Sequence, residues 1–280
     1  EVDELIVVET AGAALPPSRP ISVADSVIGT VFADRVPRRF DAIDDTLGGT
    51  PGGGPALVLP LHYSYGLSVL HSHLAVGASI VLVDGSVADP QFKARTNAEG
   101  VTSLALVPHQ IDLLHGRKIG IREFGAIRYV TQAGGRLGSA RVKELALQAR
   151  REGWEFFVMY GQTEAGPRIA YVPPAALAAN ADTIGRAIPG GRIWIADAQG
   201  AEVLQPGISG ELVYEGPNVM FGYADQREDL ARGREMTSLH TGDIAERTSV
   251  RANTDQEPVA QPKLCCASFK SKSYCSLWPL

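Results

Sequence analysis

The sequence predicts an α/β fold, a parallel sheet with flanking helices followed by a smaller β-rich subdomain. Two observations carry this. From Ala56 to about Thr248, apolar runs of strand length alternate with longer segments of helical period, the pattern of strand–helix–strand units that build parallel sheets. After Ile184 the helical segments stop, and short strands between Gly and Pro turns replace them, which suits antiparallel pairing better than further crossovers.

The elements follow in order. Strand-like runs fall at 56–59, 80–83, 103–107, 127–131 and 155–159, then 191–196 and 210–214. Helical patterns lie between them, 67–76 and 139–152 among them, the second opening on Ser139 as its expected N-cap. The stretch 210–223 reads as a hairpin and its turn. Three divisions result. Residues 1–56 form an N-terminal segment with one apolar run at 5–8, a Pro-rich break, amphipathic material at 23–40 and a Gly-rich linker at 47–55. Residues 57–248 carry the alternation. Residues 249–280 have neither period and hold all three cysteines, Cys265, Cys266 and Cys275; this stretch is expected to be disordered or foreign to the fold.

Bulk properties exclude several function classes. Apolar residues make up 45% and charged residues 20%, ordinary for a globular chain. A net charge of −5 offers no basic face to nucleic acid or an anionic membrane. No apolar run approaches the roughly 20 residues of a membrane-spanning helix. Three cysteines with an adjacent pair make a poor disulfide framework, so a reducing, cytoplasmic setting is expected. The opening Glu-Val-Asp-Glu has the wrong charge for a signal peptide, and the lack of an initial Met reads as a processed or partial chain. No strand leads into a Gly-x-Gly-x-x-Gly, and no Gly-x-Ser-x-Gly elbow is present, which argues against a dinucleotide oxidoreductase and a serine hydrolase.

The chemistry concentrates after the run at 155–159, where the chain reads Met159, Tyr160, Gly161, Gln162, Thr163, Glu164, Ala165, Gly166. A strand that ends this way puts polar groups at the carboxyl edge of a parallel sheet, where α/β proteins bind ligands. Gly161 lets a backbone approach a ligand, Thr163 offers a hydroxyl to a phosphate, and Glu164 offers hard oxygen to Mg²⁺. The run resembles the Tyr-Gly-x-Thr-Glu signature of the adenylate-forming (ANL) superfamily, the AMP-dependent synthetases and ligases that include acyl-CoA synthetases, nonribosomal adenylation domains and luciferases. Five further segments stand in that family's order: Leu59-Pro60 through Gly66, Ala133-Gly134-Gly135-Arg136-Leu137, the run 183–190 (TIGRAIPG), the run 210–223 (GELVYEGPNVMFGY), and Thr241-Gly242-Asp243. Together they cover about 57–248.

The resemblance implies an incomplete ANL N-terminal domain and assigns roles. Tyr160 would stack on adenine, with Gly134, Gly135 and Arg136 in the loop across from it, and Gly161 and Gln162 would complete the nucleotide site. Thr163 would hold a phosphate, Glu164 would hold the metal, and these two would serve catalysis. Asp243 would accept hydrogen bonds from both ribose hydroxyls, a task that suits a fixed carboxylate. Tyr63, Ser64, Tyr65 and Gly66 would line the acid pocket. Amino-acid-activating relatives place a carboxylate where Ser64 stands, and a hydroxyl cannot neutralise a buried ammonium; an uncharged acyl or aryl acid is therefore expected. Tyr63 takes the place of a family histidine, one position after His62. His71 and His73 are expected to decorate a helix. The implied reaction is ATP-dependent activation of a carboxylic acid to an acyl-adenylate, with Mg²⁺, then transfer to CoA or a phosphopantetheine, with an acyl carrier protein as a further partner class.

Two departures temper this. Residues 1–56 contain no Ser/Thr/Gly-rich run ending in Pro-Lys-Gly, the family's phosphate loop, and the run 48–54 has no Lys. No lysine-bearing C-terminal domain is recognisable after Thr248; Lys263, Lys270 and Lys272 lie in unpatterned sequence. Both losses fall on charge stabilisation during phosphoryl transfer, so the chain is expected to be inactive as it stands. The alternative is a non-catalytic remnant that keeps only nucleotide binding.

Overall fold

The computed structural model describes residues 54–75 and 78–247, with strand backbone also at 4–5, 21–22 and 262–264. The chain divides into two units, Glu1–Phe40 and Asp41–Leu280. In the first, β1 (Glu4–Leu5) pairs antiparallel with β2 (Ile21–Ser22).

The second unit is built on a seven-stranded sheet. In chain order its elements are β3 (Pro55–Leu57), α1 (Ser64–Ala75), β4 (Val81–Leu82), α2 (Pro90–Ala98), β5 (Ser103–Leu106), α3 (Pro108–Gly116), β6 (Tyr129–Gln132), α4 (Ser139–Glu152), β7 (Glu155–Tyr160), β8 (Ala170–Val172), α5 (Pro174–Leu177) and β9 (Arg186–Ala187). The spatial order is β4-β3-β5-β6-β7-β8-β9. The first five strands run parallel, as the alternation predicts. β8 and β9 then extend the sheet antiparallel, because the chain turns back on itself directly after β7 instead of crossing over through a helix.

The central strands β5 and β6 are buried at every position, as strands covered on both faces must be. Strand residues alternate between the faces. In β7, Phe156 joins the cluster beneath α2, α3 and α4 with Phe92, Ile111, Leu114 and Val142, while Phe157 and Met159 face α1 with Tyr65 and Val69. α2 and α3 both open on proline, which has no N–H to leave unpaired in a first turn. α4 ends on Gly153 in the left-handed region, φ 73°, after Arg150 and Arg151, whose charges suit a helix C-terminus.

Two local expectations are corrected. The N-cap of α4 is Gly138, with no side-chain cap bond; Val142 N–H already donates to the Gly138 carbonyl at 3.0 Å, so Ser139 is one residue inside the helix. α1 starts at Ser64, three residues before the apolar pattern, with Leu67 N–H donating to the Tyr63 carbonyl at 3.0 Å.

A separate antiparallel sheet has the order β10 (Arg192–Ala196), β11 (Ser209–Glu215), β12 (Ser238–Arg247), β13 (Pro262–Leu264). Its core of Ile195, Leu212, Tyr214 and Leu239 packs against Ala165, Ile169 and Ile184. The stretch 210–223 is therefore not a hairpin of its own. β11 is a central strand paired to β10 and β12, and 216–223 is a loop held by Asn218, whose Nδ2 donates to the Arg168 carbonyl at 2.8 Å. Residues 262–264, within the stretch read as a tail, lie opposite Arg247, Glu246 and Ala245 of β12. The three cysteines and the Gly-rich run up to residue 53 lie outside the described residues. Among the described residues, no helix is long and apolar enough to cross a membrane.

Candidate functional site

Parallel neighbours β6 and β7 both end at one edge of the sheet, and each delivers one predicted segment there. After β6, Gly134, Gly135 and Arg136 are exposed, while Leu137 is buried and anchors the loop. Gln132 Nε2 donates to the Gly135 carbonyl at 2.8 Å and pins the loop from below. After β7, residues 163–165 form a short 3₁₀ turn, and Ile169 N–H donates to the Tyr160 carbonyl at 2.9 Å as the chain reverses into β8. The reversal explains Gly161. A Cβ there would lie 1.5 Å from the Pro167 carbonyl oxygen, so the backbone that this glycine admits is that of its own chain.

Tyr160 and Gln162 meet the second sheet. Tyr160 Oη donates to Asp243 Oδ2 at 2.5 Å, and Gln162 Nε2 donates to the Thr241 carbonyl at 2.9 Å and to Asp243 Oδ2 at 3.3 Å. Burial, and then the hydrogen bond to the Asp243 carboxylate, push the Tyr160 phenol far above its ordinary value near 10, so it remains a neutral donor. Two motifs whose bonds span 79 to 83 positions of sequence thus form one seam between the sheets.

The segment expected to line an acid pocket reaches the same edge. Ser64 Oγ and Thr163 Oγ1 are 3.0 Å apart in a hydroxyl–hydroxyl bond. The Tyr63 hydroxyl lies against Gly134, where an added Cβ would come within 2.1 Å of it. Tyr65 does not line the edge. It is 1% exposed in the cluster beneath α1, with its hydroxyl 2.7 Å from Thr131 Oγ1, and Gly66 packs on the Pro60 carbonyl. His71 is exposed. His73, by contrast, is buried: Nδ1 donates to the Val69 carbonyl at 2.8 Å, so Nε2 accepts from Tyr129 Oη at 2.9 Å. Its role is a core hydrogen bond, not a surface decoration.

Glu164 is half-buried, and its Oε1 accepts from Tyr223 Oη at 2.9 Å. Among the described residues no group of three His, Cys, Asp or Glu could hold a metal. A single carboxylate next in sequence to Thr163 is a donor set that would suit Mg²⁺ carried in on a nucleotide, since Mg²⁺ commonly keeps its waters and takes one or two carboxylates.

Sequence reasoning assigned no role to two residues in contact with this cluster. Tyr223 meets Glu164 across 59 positions of sequence, and Glu211 contacts the turn that carries Asp243. Both stand in the segment 210–223 and were legible only as part of it. A cavity of about 230 Å³ opens elsewhere, between α3 and α4, lined by Ile111, Leu114, Leu145 and Trp154; none of the motif residues reaches it.

The comparisons with known proteins agree with this architecture. The family described as AMP-binding enzyme matches residues 42–224, an interval that includes every expected site residue except Asp243. The chain is 33% identical over 189 residues to an indoleacetate–CoA ligase of Aromatoleum aromaticum, which covers 66% of this chain and 36% of that protein. It is 27% identical to a 2-succinylbenzoate–CoA ligase of Bacillus pumilus, over 67% of this chain and 37% of the relative. Among solved structures, o-succinylbenzoate CoA synthetase from Bacillus subtilis in complex with ATP and magnesium ion superposes with a TM-score of 0.62 at 25% identity, over 82% of this chain and 45% of that one. The chain thus spans about a third of the length of the curated relatives it matches. The parallel sheet, the attached antiparallel sheet and the ordered motifs are those of one lineage: the chain belongs to the AMP-binding enzyme family.

Proposed function

We propose that the edge formed by Tyr160, Thr163, Glu164, Gly134 and Asp243 is the nucleotide site of an AMP-forming acid–thiol ligase. The convergence of Tyr160, Gln162 and Asp243 across two sheets carries this reading. The exposed glycine loop after β6, at the same edge of the sheet, supports it, since a purine and its ribose need an open backbone, an aromatic ring and a carboxylate. Tyr160 offers a ring for the base, with Gly134, Gly135 and Arg136 opposite, and Gly161 and Gln162 fix the turn between ring and phosphates. Asp243 accepts the ribose hydroxyls. Thr163 donates to a phosphate, and Glu164 holds Mg²⁺, which would neutralise charge on the phosphates.

In the reaction, a carboxylate oxygen of the acid attacks the α-phosphorus of ATP. The bond to the bridging oxygen breaks, and pyrophosphate leaves. A thiolate of CoA, or of a carrier's phosphopantetheine, then attacks the acyl carbonyl and AMP departs. On this reading Tyr63 and Ser64 line the acid pocket, which the bond from Ser64 to Thr163 supports by tying that segment to the turn proposed to hold phosphate. A hydroxyl at position 64 favours an uncharged acyl or aryl acid. The names of the relatives support an acid without an α-ammonium: an indoleacetate ligase fits the uncharged aryl class, while a 2-succinylbenzoate ligase acts on an aryl acid with a second carboxylate.

The 280-residue chain by itself is proposed to bind nucleotide without turning it over. The test is calorimetry with AMP beside acid-dependent exchange of labelled pyrophosphate into ATP. The expected result is measurable AMP affinity that falls about tenfold in Asp243→Asn, the worth of one charge-assisted hydrogen bond, with exchange at background. Absence of AMP binding removes the site. Robust exchange would mean that residues in the run 48–54 hold the phosphates.

A further inference from the structure

Asp243 sits on an irregularity, and what holds that irregularity in place comes from the neighbouring strand. Between β11 and β12, Glu211 is opposite Ile244 and Val213 is opposite His240. One residue of β11, Leu212, therefore faces three of β12: Thr241, Gly242 and Asp243. The excess forms a bulge, which redirects side chains that a regular ladder would point elsewhere. Gly242 takes φ 74° within it, a left-handed conformation that glycine adopts without steric cost.

A bulge needs partners for the backbone groups that it removes from the ladder. On the inner side, Thr241 Oγ1 donates to the Leu212 carbonyl at 2.7 Å, and Asp243 N–H donates back to Thr241 Oγ1 at 3.2 Å. On the outer side, both oxygens of Glu211 are used. Oε1 accepts from Gly242 N–H at 3.0 Å, and Oε2 is 2.9 Å from His240 Nδ1, which donates to it. Glu211 thus grips the residue before the bulge and the residue at its apex. The Asp243 carboxylate emerges on the far side, toward Tyr160 and Gln162.

We infer that Glu211 is a positioning residue for Asp243: it fixes the 241–243 bulge so that the carboxylate meets the two ribose hydroxyls together. A carboxylate that must accept two bonds at once tolerates little rotation. Tyr160 and Gln162 hold one of its oxygens and Thr241 holds the Asp243 N–H. Glu211 holds the Gly242 N–H at the apex, so its loss would leave the bulge backbone freer to turn. The inference rests on the reading of Asp243 as the ribose acceptor.

Glu211→Ala, Glu211→Gln and Asp243→Asn are compared in the full chain by calorimetry with AMP and with 2′,3′-dideoxy-AMP, alongside melting temperature and Gly242 amide exchange by NMR. In Glu211→Ala, AMP affinity should fall about tenfold, the equivalent of one bond to a charged group, while dideoxy-AMP affinity and melting temperature hold and the Gly242 amide loses protection. Glu211→Gln keeps an acceptor for Gly242 and should recover most of the AMP affinity. A merely structural glutamate would weaken both nucleotides alike, and that result overturns the inference. If Asp243→Asn abolishes the preference for AMP while Glu211→Ala retains it, the inference alone is wrong. If Asp243→Asn retains the preference, the ribose reading fails and takes the inference with it.

Discussion

The Tyr160 phenol is half-buried and aimed at a carboxylate, and both facts favour its protonated form. Its folded-state ionisation lies above the unfolded value near 10, so its contribution to stability is complete below pH 10 and is lost as pH rises beyond, where the unfolded chain sheds the proton and the folded chain keeps it. The thermal midpoint should therefore fall with pH above about 10, and Tyr160→Phe should flatten that fall. At neutral pH the same variant should cost about 1.5–3 kcal/mol, the net value of a lost hydrogen bond to a charged group. An equal alkaline slope in both proteins, measured by scanning calorimetry, would exclude the effect. Tyr160 and Asp243 were each legible in the sequence as members of short motifs. Their mutual bond was not, because 83 positions separate them and no local pattern records which loops a fold brings together. The same limit hid the pairing of Tyr223 with Glu164 and the burial of His73 against Tyr129.

Two glycines separate what an element needs for its shape from what it needs for its packing. Gly153 ends α4 at φ 73° with room for a methyl, the nearest atom to an added Cβ being Arg122 Nη2 in ordinary contact at 3.6 Å. Gly153→Ala should cost only the left-handed conformation, about 1 kcal/mol. At Gly161 the added methyl would meet the Pro167 carbonyl at 1.5 Å and its carbon at 2.5 Å. Because the neighbour is backbone, β7 and β8 must part, and Gly161→Ala should cost about 3 kcal/mol or more. Denaturant unfolding of the two variants checks the ranking; equal losses would mean that the turn after β7 yields easily. The five parallel strands were readable because each is a short apolar run bounded by breakers, and α4 because its period is sustained over 14 residues. β8 and β9 were not readable. Three and two residues long, they are strands by virtue of pairing with β7 and each other, not by composition. The N-cap at Gly138 escaped for a related reason: capping preference names the favoured residue type, while the backbone decides where the first turn closes.

At the level of the molecule, the sheet grows from neighbouring units. β5 to β6 and β6 to β7 are each joined through one intervening stretch, and their pairing is near in sequence. The site is different. The bonds that close it join residues 79 to 99 positions apart: Gln162 to Thr241, Tyr160 to Asp243, and Ser64 to Thr163. Closing longer loops costs more chain entropy before any contact repays it. The seam between the sheets should then be among the last features to form. On dilution from denaturant, far-ultraviolet circular dichroism should recover in an early phase that reports helices and local strand pairs. AMP binding, followed by quenching or by a fluorescent analogue, should return in a later and slower phase. Simultaneous recovery of both signals would show that the two sheets dock while the parallel strands assemble. On that expectation the Tyr160–Asp243 bond acts in time as well as in space, and the refolding chain should pass through a stage in which it has acquired its sheets but not yet the proposed nucleotide affinity.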